Sequence, residues 1–334
     1  DFGRALEATR EDAGAVALVG IDKNRVFALG WGLGAALVGL AGAIMATFFY
    51  VYPDVGASFA LIAYVTVALG GFGSVFGAFA AKFHTVALDR LGQGHTANPA
   101  TPAGYGHAAS VAHTLAFLQS LGSGPYHLVG HDEGAFVAAQ LACAHPDLVA
   151  SVTLVSANSL TPGSDRRGIV LSDPLLPLLS SASLRWHYER ACQSHLAVTD
   201  AWMNEATAVA GLDKTRAAIA VMADEELYLR QQVGQWNAQR AALHRIIHAE
   251  GLPCPTLIVW GFNDPIAPFE NARYLMELLA VRQRDTELRV FNAAGHFPHW
   301  EQPAAFARAV TSFVAQAKAL AADTRARPPA KRVG

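Results

Sequence analysis

Gly130-His131-Asp132-Glu133-Gly134 follows the apolar run His127-Leu128-Val129 and opens the helix-forming stretch 135–145. Strand, glycine-flanked pentapeptide and helix in that order read as a nucleophile elbow, with aspartate in the place where serine is usual. Glycines at both ends let the chain turn sharply, so that the central side chain stands above a sheet. The same turn aims the helix N-terminus, with its unpaired amides and positive end, at that side chain. Asp132 is therefore the candidate nucleophile, and the backbone amide of Glu133 the candidate oxyanion donor. Capping of the helix is the competing role for Asp132, a common task for aspartate.

Two more motifs bear on that choice. Val259-Trp260-Gly261-Phe262-Asn263-Asp264 puts a carboxylate just past a strand end, and Gly295-His296-Phe297-Pro298-His299-Trp300-Glu301 puts a histidine in a glycine-preceded loop. Alone, Asp264 could cap a helix and His296 could lie on the surface. Together they give the order nucleophile, acid, histidine, each at the carboxyl end of a strand, which is the arrangement of a catalytic triad on one rim of a parallel sheet. Asp132, Asp264 and His296 form the expected catalytic set.

Outward from these motifs, strand and helix alternate. Residues 84–89 (HTVALD) read as a short strand and Gly92-Gln93-Gly94 as a turn. The stretch 107–121 carries Val111, Leu115, Leu118 and Leu121 near helical period. Strands follow at 127–130, 152–155, 256–260 and 287–291, with helices at 135–145, 271–279 and 303–320. That alternation predicts an α/β fold with a mostly parallel sheet. Residues 159–250 interrupt it with mostly helical sequence, the shape of an inserted cap between core segments 83–158 and 251–320. The tail 321–334, rich in Arg, Lys and Pro, is expected to be disordered.

The 334 residues suffice for two domains or for one with an insertion. A net charge of −2 and the lack of a basic, aromatic-interleaved block argue against nucleic acid as a partner. Cys143, Cys192 and Cys254 form no CxxC pair, and an odd number argues against a disulfide framework. No histidine spacing such as HExxH points to a metal, and no cofactor motif is present. The expected partner of the core is a small-molecule substrate.

Residues 1–82 have another character. A 52% hydrophobic, 16% charged composition raises the question of a membrane part, and the distribution answers it. The 28 residues from Val26 to Pro53 carry no charge, where roughly 20 suffice to span a bilayer. A second uncharged stretch, 55–81, is interrupted by Gly70, Gly71, Gly73 and Gly77. Two hydrophobic, membrane-spanning helices within 26–81 are expected, with both ends in the cytoplasm because Arg4, Arg10, Lys23 and Arg25 precede and Lys82 follows them. The competing reading is a buried helical hairpin. A start at Asp1 rather than Met suggests a fragment.

The stretches Gly3-Arg4-Ala5-Leu6-Glu7-Ala8, Leu18-Val19-Gly20-Ile21-Asp22 and Leu69-Gly70-Gly71-Phe72-Gly73-Ser74 resemble permease subunits of branched-chain amino acid ABC transporters. That resemblance implies an inner-membrane location and an ABC transporter ATPase as partner. Two spans cannot enclose a transport pathway, so transport by this chain alone is not expected. If 1–82 do not belong to the chain, the core is expected in the cytoplasm.

Residues 83–320 resemble the α/β-hydrolase superfamily through the triad motifs, Leu88-Asp89-Arg90-Leu91-Gly92-Gln93-Gly94 with Asn98-Pro99, and Gly295-His296-Phe297-Pro298-His299-Trp300-Glu301-Gln302-Pro303. The flanking residues are similar to serine-type ester and carbon–carbon bond hydrolases, while the aspartate is similar to epoxide hydrolases and haloalkane dehalogenases. An aspartate can open an epoxide or displace a halide to leave an alkyl ester, which His296-activated water hydrolyses. It cannot usefully accept an acyl group, because the product is an anhydride. Glu133, a second negative charge where dehalogenases carry Trp or Arg, favours epoxides. Tyr188 and Tyr228 in the cap are candidate acids for the developing alkoxide; helix packing is the competing role for each.

The resemblance also implies strands before residue 84, one of them supplying a second oxyanion amide. Without them the sheet is expected to have a gap, filled by the 84–89 strand or left as an unpaired edge, and activity is expected to be weak. Three functions stay open: an aspartate-nucleophile hydrolase, a relative of the serine enzymes without catalysis, and a membrane component descended from a permease.

Overall fold

The computed structural model describes residues 20–45, 79, 82–122, 124–163, 165–222 and 234–326, together with Phe2, Gly3, Ala5, Thr9 and Val16. The chain divides into two compact units, Asp1–Ala68 and Leu69–Gly334.

The first unit holds helix α1 (Lys23–Met45). Asp22 starts it, its carboxylate accepting hydrogen bonds from the amides of Asn24 at 3.0 Å and Arg25 at 3.2 Å. Beyond Arg25 the helix is uncharged, and Trp31, Leu37, Val38 and Leu40 are exposed. Among the described residues no helix is long and apolar enough to cross a membrane. The second expected span lies outside the described residues except for Phe79, which is buried in the second unit.

In the second unit α2 (His107–Leu121) leads to β1 (Tyr126–His131), α3 (Glu133–Ala144) and β2 (Val149–Val155). The cap follows as α4 (Arg167–Val170), α5 (Ser181–Ala191), α6 (Asp200–Ala210), α7 (Asp213–Met222) and α8 (Gly234–Glu250). The core resumes with β3 (Thr256–Gly261), α9 (Phe269–Ala280), β4 (Thr286–Phe291), α10 (Pro298–Glu301) and α11 (Pro303–Ala326). Strands pair in the order β1-β2-β3-β4, all parallel.

Burial on both faces explains the apolar strands. Along β3, Leu257 and Val259 face one layer with Phe306, Val310 and Phe313 of α11, while Ile258 and Trp260 face the other with Phe136 of α3 and Leu275 of α9. Successive residues point to opposite faces, so a strand covered on both sides must be apolar throughout. Leu243 and Ile247 place α8 in the second layer, so the last helix of the expected cap packs on the core. Helix α11 runs on to Ala326 through the alanine-rich stretch after Leu320, a composition with high helix propensity.

One expected element is absent. Residues 84–90 form no strand, and among the described residues β1 pairs only with β2. An extended segment becomes a strand only when a neighbour accepts its backbone hydrogen bonds, and among the described residues no strand pairs with it. Between this segment and β1 lies an open groove of about 720 Å³, lined among others by Phe83, Val86, Leu118, Leu128, Val129 and Leu141. Val86 and Val129 are exposed on its two walls. Of the two outcomes the sequence allows, β1 does not pair with the 84–89 segment, and among the described residues its outer edge has no partner.

Candidate active site

Asp132 sits between β1 and α3 at φ 45°, a left-handed conformation that a non-glycine residue adopts only when its surroundings impose it. Gly130 explains how. A Cβ there would lie 2.2 Å from the Gly134 carbonyl oxygen, so only glycine lets strand and helix approach this closely. Asp132 accepts no side-chain capping bond from α3, which removes the competing role. Its side chain turns instead toward the loop after β2 and the histidine loop.

His296 and Asp264 meet it there. The Asp264 Oδ2 atom lies 2.8 Å from His296 Nδ1, and its Oδ1 accepts the amides of Ile266 at 2.9 Å and Ala267 at 2.8 Å. With Nδ1–H donated to Asp264, the Nε2 lone pair of His296 faces Asp132 Oδ2 at 3.9 Å, too long for a hydrogen bond and open for work as a base. All three side chains are almost fully buried. The sequence-derived triad is thus gathered at the carboxyl ends of β1, β3 and β4.

Four residues to which the sequence reading gave no role complete the site. Arg167, from the first turn of α4, pairs through Nη2 with Asp132 Oδ2. The amide of Ser159 donates to Asp132 Oδ1 at 3.1 Å, and its hydroxyl donates to the Asp132 carbonyl at 2.6 Å. Burial opposes ionisation of Asp132, but Arg167 and the neighbouring imidazoles outweigh it and hold the carboxyl below its ordinary range. Arg90 pairs with Glu133 at 2.8 Å, so the charge read as a bar to departing anions is already answered. Glu301 organises the histidine loop, accepting the amides of Gln193 at 2.7 Å, Ser194 at 3.0 Å and Gly295 at 2.7 Å. A lone acid in the apolar run around His296 was the signal for Glu301; nothing in the loop after β2 singled out Arg167.

The remaining histidines serve the frame. His131 is half-buried, bonded through Nε2 to the His296 carbonyl at 2.8 Å, and its removal from solvent pushes its pKa down to about 3. His299, also half-buried, is held well below the usual range by desolvation of its ring. Tyr188 packs edge-on against Trp202, Phe297 and Trp300, the packing role rather than a demonstrated acid. Tyr228 lies outside the described residues. Among the described residues no group of three or more His, Cys, Asp or Glu could hold a metal ion.

Comparison with known proteins extends this picture. Residues 1–116 match the model of the branched-chain amino acid transport system permease component. Residues 70–303 match the alpha/beta hydrolase fold model, so the two matches overlap across 70–116 and the hydrolase match takes in the glycine run at 70–73. The chain is 25% identical over 239 residues to 2-hydroxymuconate semialdehyde hydrolase of Pseudomonas putida, covering 70% of this chain and 78% of that one. It is 27% identical over 224 residues to a putative carbamate hydrolase of Klebsiella pneumoniae (strain 342), covering 66% and 80%. Among solved structures, the meta-cleavage product hydrolase from Pseudomonas fluorescens IP01 superposes with a TM-score of 0.59 at 22% identity, over 76% of this chain and 86% of that one. The hydrolase match spans most of the chain, and the protein belongs to the alpha/beta hydrolase fold family.

Proposed function

We propose that the second unit is a hydrolase that uses Asp132 as nucleophile on a saturated carbon electrophile, an epoxide or alkyl halide. The observation that carries this reading is the His296 ring, held by Asp264 at Nδ1 at 2.8 Å with Nε2 facing Asp132 Oδ2 at 3.9 Å without bonding it. A carboxylate oxygen of Asp132 attacks carbon, and the C–O or C–halogen bond breaks with its electron pair leaving on oxygen or halide. An alkoxide so formed takes a proton from water. The product is a neutral alkyl ester on Asp132. His296 then removes a proton from water, the resulting hydroxide attacks the ester carbonyl, and the Glu133 amide stands at the helix N-terminus where the oxyanion develops. Collapse releases the alcohol and restores the Asp132 carboxylate, and the proton left on His296 neutralises the hydroxide formed when water protonated the alkoxide or, with an alkyl halide, passes to solvent alongside the halide. Because Arg90 neutralises Glu133, halides and epoxides stand on equal footing. Modest turnover is expected, since among the described residues the elbow strand has a neighbour on one side only.

His296→Gln tests the reading. The variant should accumulate the alkyl ester, seen as a mass increase equal to the added epoxide and located on the Asp132 peptide; a variant that reacts with none of the epoxides the parent consumes counts against it. A second proposal concerns location. The exposed apolar surface of α1, uncharged after Arg25, and the permease match over 1–116 support attachment of the first unit to the inner membrane, with the hydrolase unit in the cytoplasm and an ABC transporter ATPase as the ancestral partner. Recovery of the full chain wholly in the soluble fraction after lysis would end this proposal.

A further inference from the structure

Arg167 does not come from the sheet. Its segment is pinned at the seam of core and cap, where the Arg166 amide donates to the Ile266 carbonyl at 2.9 Å in the loop after Asp264. At its other end the Arg190 guanidinium donates to the Val170 carbonyl at 3.3 Å, and the Arg167 amide itself donates to Asp165 Oδ1 at 2.8 Å. The guanidinium is thereby held over Asp132. It uses one nitrogen on that carboxylate, while Nη1 and Nε carry no partner among the described residues. The Arg167 side chain is 40% exposed against 11% for Asp132, so the guanidinium forms the boundary between nucleophile and solvent.

We infer that Arg167 is a substrate-binding residue that selects electrophiles carrying a carboxylate. The inference rests on the nucleophilic role proposed for Asp132. A carboxylate locked in an ion pair is a poor nucleophile, and breaking that pair for a neutral substrate leaves a partly buried cation uncompensated. A substrate carboxylate offers the guanidinium a replacement partner in the planar, two-pronged geometry that arginine prefers. Alkylation strengthens the case, because it turns Asp132 into a neutral ester and removes the charge that Arg167 answers. A substrate anion keeps the guanidinium paired from binding to hydrolysis. Among the described acids around the guanidinium, Glu133 is engaged by Arg90, Asp264 by His296 and two amides, and Asp165 holds the Arg167 amide through Oδ1 and attracts the guanidinium less than Asp132 does.

Two measurements on the full chain keep the inference apart from the nucleophile assignment. Calorimetric titration with butyrate, a carboxylate that undergoes no reaction, should show saturable binding that weakens by about tenfold or more in Arg167→Gln and by less in Arg167→Lys, which keeps charge without the fork. Equal affinity in parent and Arg167→Gln, or no binding to the parent, overturns the inference. For turnover, the parent should favour glycidate over glycidamide by about tenfold or more in kcat/KM, and Arg167→Gln should erase that ratio, chiefly through KM for glycidate. An unchanged ratio overturns it as well. If neither epoxide reacts, the Asp132 mechanism fails while the butyrate titration still decides what Arg167 binds.

Discussion

The two glycines of the elbow should respond in opposite ways to alanine. A Cβ on Gly130 would stand 2.2 Å from the Gly134 oxygen, 2.3 Å from its carbonyl carbon and 2.5 Å from the Ala135 nitrogen, whereas ordinary contact begins at 3.4 Å. The helix must therefore retreat by about 1 Å, and it cannot do so freely because Ala135, Phe136 and Ala139 are fully buried behind it. Overpacking of this kind costs about 1–3 kcal/mol, and a clash with backbone rather than a flexible side chain belongs at the upper end. A Cβ on Gly134 meets nothing within 4 Å. Gly134 lies in the first turn of α3, so alanine there should stabilise by about 0.5–1 kcal/mol through the unfolded chain. Urea midpoints of Gly130→Ala and Gly134→Ala, read on the hydrolase unit with m unchanged, should thus separate by about 3–4 kcal/mol. Gly130→Ala should also lower turnover by about 100-fold, because Asp132 moves relative to His296 by about the misplacement that costs that much. A Gly130→Ala protein within about 1 kcal/mol of the parent, or a Gly134→Ala protein equally damaged, refutes the geometry.

Acid should destabilise the hydrolase unit well above the carboxylate range. His131 and His107 are neutral when folded, with burial taking them to about 3 and about 4, while an unfolded histidine titrates near 6.5. Their contribution is complete above pH 6.5 and is lost as pH falls toward the folded values, at about 2 kcal/mol each between pH 7 and pH 5. His131→Gln combined with His107→Gln should flatten the fall in thermal midpoint over that window, and an equal fall in the double variant contradicts the assignment. Glu301→Ala leaves the amides of Gln193, Ser194 and Gly295 without their acceptor and should cost about 3 kcal/mol with a drop in kcat, while Glu301→Gln should cost less because one oxygen remains. Equal midpoints for all three proteins would remove Glu301 from the frame of the histidine loop.

Legibility followed the length scale of each interaction. Helix α2 was readable to the residue at 107–121 because its apolar period is a local property. The triad was readable because each member sits in a short motif tied to a strand end. The strand expected at 84–89 was not, since a strand exists only with a partner, and partnership is a property of the whole sheet. Arg167 and Ser159 escaped for a related reason. Both reach Asp132 from a loop whose course depends on the cap, and neither carries a motif. The weight placed on the Glu133 charge failed because Arg90, 43 positions earlier, neutralises it, a pairing invisible along the chain.

The claim on which the mechanism stands is that Asp132, and not water directly, makes the first bond to carbon. Repeated turnover of an epoxide in oxygen-18 water, followed by digestion and mass spectrometry, examines it at the atom concerned. Hydroxide attack on the ester carbonyl exchanges a carboxylate oxygen in each cycle, so the peptide containing Asp132 should gain label and the Asp264 peptide should not. Turnover that proceeds with label in the product alone, leaving the Asp132 peptide at its natural mass, contradicts the account.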